Sequence, residues 1–207
     1  MMSNKTANAT TSKATTSKAT ANKKNYAAYA ASKNYIAYVA YGSNLSVEQM
    51  ALRCPDAKMI GTGKIRDYKL VFRFHADIEK SKGSYVPVLV WKISEVDEKR
   101  LDIYEGVSSG YYHQEEVKVL MDQKENSNQS NNAGSNVAGG EDSNGSDVAG
   151  SDVADSNASE ITAMVYVMNE QTGTELPDTY YLQIIEDGYT HFGFDKSVLA
   201  KALKEAR

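Results

Sequence analysis

Apolar and polar positions along the chain resolve into a short series of strands and helices. The segment Tyr35-Ile36-Ala37-Tyr38-Val39-Ala40 is apolar and aromatic and reads as a buried strand. It runs into Tyr41-Gly42-Ser43-Asn44-Leu45. Ser46 then suits a helix N-cap, and Gln49 stands three residues on, where a capping box carries Glu or Gln. This helix, from about Val47, is expected to end near Arg53, because a residue ahead of Pro55 avoids helical angles. Ala57 to Ile65 and Tyr68 to Phe74 read as strands joined by a short turn at Arg66-Asp67, and the polar stretch His75 to Lys82 reads as a loop. Tyr85 to Ile93 has a strong strand pattern. Pro87 lacks an N–H there and belongs at an edge or ahead of the pairing.

Ser94 offers a second N-cap, with Glu95 and Asp97 in the first turn and Val96, Arg100, Leu101 and Tyr104 at helical spacing. Gly106, just past Glu105, suits the C′ position. Tyr111 to Met121 and Glu160 to Asn169 read as the two strands of a hairpin with an expanded turn, tolerable because closure entropy grows slowly with loop length. Pro177 opens a helix through Asp187 that Gly188 can end, and Asp195 to Arg207 forms a last helix with Leu199, Ala202 and Leu203 inward. The order of elements gives an α+β domain of mostly antiparallel strands, able to curl into a small barrel, with a few flanking helices.

Composition shrinks the folded part. Residues 1–33 are mostly Ala, Thr, Ser, Lys and Asn, and residues 126–159 mostly Asn, Ser, Gly, Asp, Ala and Val. Neither stretch carries enough large apolar side chains to offset the entropy of ordering it, so both are expected to be disordered. What is left, residues 34–207 without the insert, is a normal single domain. The tail has lysines and no acid, and the insert has acids and no base. Salt would screen an attraction between them, and two independent solvated segments are the simpler reading. A tethering role for these segments is a separate expectation.

The formal net charge of −4 gives no basis for nucleic-acid binding. The single cysteine, Cys54, allows no intrachain disulfide and fits a reducing compartment. No run reaches the length of a membrane span and no apolar leader opens the sequence, so a cytoplasmic protein without membrane partners is expected.

Two stretches carry candidate chemistry. The Tyr41–Leu45 turn leads from a strand into a helix, a geometry that leaves backbone N–H groups unpaired and aims a positive dipole end outward. It is either an ordinary connection or a site for an anion such as a carboxylate. Glu105 follows an amphipathic helix and precedes Gly106-Val107-Ser108-Ser109-Gly110. A carboxylate there sits at the unfavourable end of the helix dipole, which raises its pKa, and burial would raise it further. It either caps the loop and faces water or is an acid/base. His75, His113 and His191 lie far apart without metal-ligand spacing, so no metal site is expected and each reads as a surface or loop histidine. Cys54 has no evident base and reads as inert. Nucleophile-elbow, P-loop and dinucleotide patterns are missing from the sequence.

Taken together, the chain resembles the gamma-glutamylcyclotransferase-like family, also called AIG2-like or BtrG-like. The resemblance rests on Ala40-Tyr41-Gly42-Ser43-Asn44-Leu45, Arg53 and Pro55, Asp67-Tyr68-Lys69-Leu70, Val90-Trp91-Lys92-Ile93, Leu101 through Val107, Gly110-Tyr111-Tyr112, Glu116 through Val119, Tyr166, and Tyr181 with Ile184, Ile185 and Gly188. It implies a small mixed, mostly antiparallel β-barrel with flanking helices and a pocket between the two motifs. It implies that Tyr41, Gly42, Ser43, Asn44 and Leu45 hold the glutamyl end of a substrate, with Tyr112 and Tyr166 nearby and Glu105 as the acid/base. The implied reaction is cyclisation of a gamma-glutamyl amine or amino acid to 5-oxoproline, with no cofactor and a small molecule as partner. The alternative is a non-catalytic module of the same fold that binds gamma-glutamyl compounds. Val88, where the family often has glycine, and the insert are departures from the pattern.

Overall fold

The computed structural model describes residues 35–123, 159–170 and 173–206. The tail 1–33 and all of the insert 126–159 but Ser159 fall outside the described residues. The elements in chain order are β1 (Ile36–Ala40), α1 (Val47–Arg53), β2 (Lys58–Arg73), β3 (His75–Ile93), α2 (Glu95–Tyr104), β4 (Tyr112–Met121), β5 (Ser159–Met168), α3 (Thr179–Phe192) and α4 (Lys196–Glu205). Short 3-10 turns cover Ser43–Leu45 and Val107–Ser109.

The strands close a barrel in the order β1-β3-β2-β4-β5. β5 returns to β1 in parallel, through Tyr38↔Met164 and Val39↔Val165, and the other pairings are antiparallel. Ile65, Val86, Leu89 and Val119 of the strands belong to one continuous buried apolar cluster, which also takes Ile185 and Tyr189 from α3. The β4–β5 hairpin pairs from Tyr112↔Met168 to Met121↔Ser159, as its sequence pattern predicts. Pro87 lies beyond the end of β1, whose pairing with β3 starts at Ala40↔Leu89, so its missing N–H leaves the β1–β3 ladder intact. Val88 is buried in register with Gly63 of β2, away from the cavity described below.

Several local expectations are corrected. Arg66-Asp67 is no turn: β2 runs straight through it with a register shift, and Asp67 sits at φ 60. Its Oδ1 accepts the Gly83 N–H at 2.8 Å, the local bonding that lets Asp occupy the left-handed region. His75 to Lys82 is strand, because its acids are neutralised across the hairpin. Arg73 reaches Asp77 at 2.9 Å and Glu79 at 2.6 Å, and the second Asp77 oxygen accepts the Met168 N–H at 3.0 Å. Charge pairing of this kind removes the cost of burial that polarity alone predicts.

In α2 the inward face is Asp97 and Leu101, whereas Val96 and Tyr104 are exposed. The cause is a capping box in which Ser94 and Asp97 bond each other's backbone N–H, turning Asp97 inward. At α1, Ser46 accepts the Gln49 N–H at 3.2 Å, but the Gln49 side chain turns to Arg53 instead of closing the box. Gly188 does not end α3, which runs on to Phe192 and stops at Gly193. Gly188 is a contact point: a Cβ there would lie 2.7 Å from the Leu45 Cβ, so only glycine lets α3 lie directly on the turn after β1.

Candidate active site

The turn after β1 is built by its own backbone. The Leu45 N–H donates to the Gly42 carbonyl at 3.0 Å and the Ser46 N–H to the Ser43 carbonyl at 3.1 Å. The Leu45 N–H is therefore occupied, and Ser46 Oγ takes the Gln49 N–H of the two-turn helix α1. The bend also turns the Asn44 side chain inward. Asn44 is buried, with its backbone carbonyl oxygen held by the Trp91 indole N–H at 3.2 Å.

Glu105 arrives from the other side. α2 ends there, the Glu105 N–H still bonding Leu101 O at 2.7 Å, and Gly106 at φ 66 swings the chain away through the Val107–Ser109 turn. Two segments sixty residues apart thus meet: Asn44 Nδ2 donates to Glu105 Oε1 at 3.0 Å and to the Tyr38 hydroxyl at 2.7 Å.

The cavity beside this contact has a volume of about 210 Å³. Of the residues singled out from sequence, Tyr41, Gly42, Ser43, Asn44, Glu105, Tyr112 and Tyr166 line it. Leu45 does not: it is buried under Gly188, and its work is to seat α3. Three of the phenols have their hydrogens committed. Tyr41 donates to Tyr166 O at 2.6 Å, Tyr112 to Ala76 O at 2.7 Å, and Tyr166 to Asp102 Oδ1 at 2.7 Å. They shape the wall and fix β1, β3, β4, β5 and α2 against one another.

Tyr38 and Tyr181, which the sequence offers only as tyrosines able to present a hydroxyl to a pocket, also line the cavity, as do His75, Tyr104 and Tyr111, to which the sequence gives no site role. The Tyr181 hydroxyl accepts the Ala76 N–H at 3.1 Å, and a Cβ at Gly42 would approach it to 3.0 Å, so glycine makes the room it needs. With its oxygen accepting, the Tyr181 hydrogen is available to the cavity. His75 Nδ1 lies 2.9 Å from the Tyr111 hydroxyl at the rim. Residues 75–80 as strand bring His75 beside Tyr111 and Tyr181, a neighbourhood that no local pattern in the sequence marks.

The electrostatics single out one group. Burial pushes Glu105 from 4.5 up to about 7, partly offset by the Arg53 charge and the Asn44 hydrogen bond. Desolvation, more than position at a helix C-terminus, is the cause. Burial also raises the phenols of Tyr38, Tyr41, Tyr112, Tyr166 and Tyr181, leaving them neutral donors or acceptors near pH 7. The His75 imidazole is held below its usual value by burial, which Asp178 partly offsets. Cys54 is buried and its thiol is pushed up to about 12, too high for a thiolate nucleophile. Among the described residues, no group of His, Cys, Asp and Glu is arranged to hold a metal ion, and no helix is long and apolar enough to cross a membrane.

This geometry has counterparts. The family model described as gamma-glutamyl cyclotransferase, AIG2-like, matches residues 38–133, a span containing both halves of the contact. Human gamma-glutamylcyclotransferase is 39% identical over 92 residues, covering 39% of this chain and 49% of that protein. The chain therefore spans about half the length of the curated relatives it matches. Over the fold, a solved structure named gamma-glutamyl cyclotransferase superposes with a TM-score of 0.58 at 27% identity, covering 84% of this chain and 88% of the other. A human protein described as uncharacterised superposes with a TM-score of 0.59 at 28% identity, covering 84% and 89%.

Proposed function

We propose that the chain, which matches the gamma-glutamyl cyclotransferase, AIG2-like family model over residues 38–133, cyclises a gamma-glutamyl amine or amino acid to 5-oxoproline, with Glu105 as general acid/base. We read residues 34–207 as the domain responsible, with residues 126–159 an insertion between β4 and β5.

One observation carries the proposal: the half-buried Glu105 carboxyl, pushed by desolvation up to about 7, shares a small tyrosine-lined cavity with the turn after β1 and is bonded by Asn44 of that turn. A gamma-glutamyl amide contains its own nucleophile, the α-amino nitrogen. That nitrogen forms a bond to the γ-carbonyl carbon, closing a five-membered ring, and the bond to the departing amine breaks. One proton leaves the attacking nitrogen and one reaches the leaving nitrogen, so the reaction balances without water or a co-reactant. The enzyme's main task is to hold the bent conformer, and orientation of this kind contributes on the order of 7–11 kcal/mol. A carboxyl near neutrality serves both proton transfers, as base to the amine and then as acid to the leaving group. The Gly42 and Ser43 backbone and the Tyr181 hydroxyl face the cavity as candidate partners for the substrate carboxylate or the developing oxyanion.

The test is release of 5-oxoproline by purified protein from a panel of gamma-glutamyl amino acids, gamma-glutamyl diamines and ε-(gamma-glutamyl)lysine. At least one should turn over, and Glu105→Gln should lose activity with its circular dichroism unchanged. No release from the whole panel, or full activity in Glu105→Gln, overturns the reading.

A further inference from the structure

Arg53 stands behind the cavity wall, not in it, yet it is tied to Glu105 through one side chain. Its guanidinium lies over the Tyr104 ring at 3.7 Å from the centroid. Nη2 donates to Gln49 Oε1 at 2.5 Å, and Nη1 donates to Asn44 Oδ1 at 2.5 Å and to Ser43 Oγ at 3.3 Å. A guanidinium only donates. It therefore accepts one orientation of the Asn44 carboxamide: Oδ1 towards Arg53 and Nδ2 towards the interior. Both amide hydrogens then have acceptors, the Tyr38 hydroxyl and Glu105 Oε1.

A carboxamide is nearly symmetric in shape, and left to itself either end fits against a carboxyl. The two choices have opposite chemistry. The NH₂ end stabilises the carboxylate, and the carbonyl end accepts from the protonated acid and stabilises that instead. We propose that Arg53 is a positioning residue that locks Asn44 as a donor and thereby keeps Glu105 available as a base. This inference rests on the role of Glu105 proposed above.

The other titratable groups that share the cavity with Glu105 are the His75 imidazole at the rim, held low by burial, and phenols: Tyr104 of α2, Tyr38 of β1, Tyr41 after it, Tyr111 ahead of β4, Tyr112 in it, Tyr166 of β5 and Tyr181 of α3. Burial shifts the phenols of Tyr38, Tyr41, Tyr111, Tyr112, Tyr166 and Tyr181 upward, so they are neutral near pH 7. Arg53 and Asn44 are the groups that oppose burial at Glu105.

The experiment titrates Glu105 directly. The full chain is labelled with ¹³C-glutamate, the Glu105 δ-carbon is assigned by its loss in Glu105→Gln, and its midpoint is followed by NMR alongside the pH profile of kcat/KM. Arg53→Met should raise the midpoint by about one pH unit or more. The alkaline-rising limb of kcat/KM should move with it, lowering activity at pH 7 about fivefold as the ionised fraction falls. Arg53→Lys, which keeps the charge and loses the fork, should fall between the two. In an Asn44→Ala background, Arg53→Met should still move the midpoint through the lost charge, but by less, because the part relayed through Asn44 is gone. A folded Arg53→Met with the wild-type midpoint overturns the proposal, and so does an equal shift in the Asn44→Ala background. If Arg53→Met does not fold, Arg53→Lys decides it, a wild-type midpoint again being the overturning result. A shifted midpoint in a protein without turnover supports the Arg53 link and counts against the catalytic reading, so the two are separable.

Discussion

Glu105 should cost the protein stability at the pH where it is useful. Its pKa is about 7 in the folded chain against 4.5 for the free side chain, with burial as the main cause. An acid with a raised folded-state pKa holds its proton more tightly when folded. Between pH 4.5 and 7 the native state therefore binds more protons than the unfolded state, and stability falls as pH rises through that window. At about 1.4 kcal/mol per pH unit, the whole window amounts to about 3 kcal/mol. Gln is isosteric and neutral, can turn its oxygen to the Asn44 donor, and does not titrate. The stability of Glu105→Gln minus that of wild type should thus rise by about 3 kcal/mol from pH 4 to pH 8. Urea unfolding of both proteins across that range, followed by Trp91 fluorescence, measures it. A difference between the two proteins that stays flat with pH would refute the claim that Glu105 is desolvated. A difference that falls with pH would mean that its pKa is lowered on folding, not raised.

Two further outcomes follow from packing and pairing. Gly188→Ala places a Cβ 2.7 Å from Leu45 Cβ, so α3 or the turn after β1 must shift; a loss of about 1–3 kcal/mol is expected in thermal unfolding. Arg73→Met removes the guanidinium that pairs with the buried Asp77 carboxylate at 2.9 Å, and denaturant titration at pH 7 should show a loss of about 3–5 kcal/mol.

The misread segments share a cause. Residues 75–82 look like a loop because their polarity is visible along the chain, while the Arg73 side chain and the β5 backbone that neutralise Asp77 are not. Gly188 looks like a helix stop because glycine usually is one. Its real reason is Leu45, a residue more than a hundred positions earlier. The same holds for α2, where spacing favours Val96 and Tyr104 but the Ser94–Asp97 capping box sets which face turns inward. His75 and Tyr181 escaped assignment as site residues for want of any local signature.

What the chain wrote in local terms was its sequence of strands and caps: the near-continuous apolar run of Tyr85 to Ile93, Ser46 and Ser94 at helix starts, Gly106 after Glu105. These follow from backbone geometry and neighbouring side chains, which a linear reading contains. Barrel closure between β1 and β5, the contact of Asn44 with Glu105 and the elevated pKa of that acid were decided in three dimensions. Desolvation depends on how much protein surrounds a group, and that surrounding is assembled from β1, β3, β4, β5, α2 and α3 only when the barrel shuts.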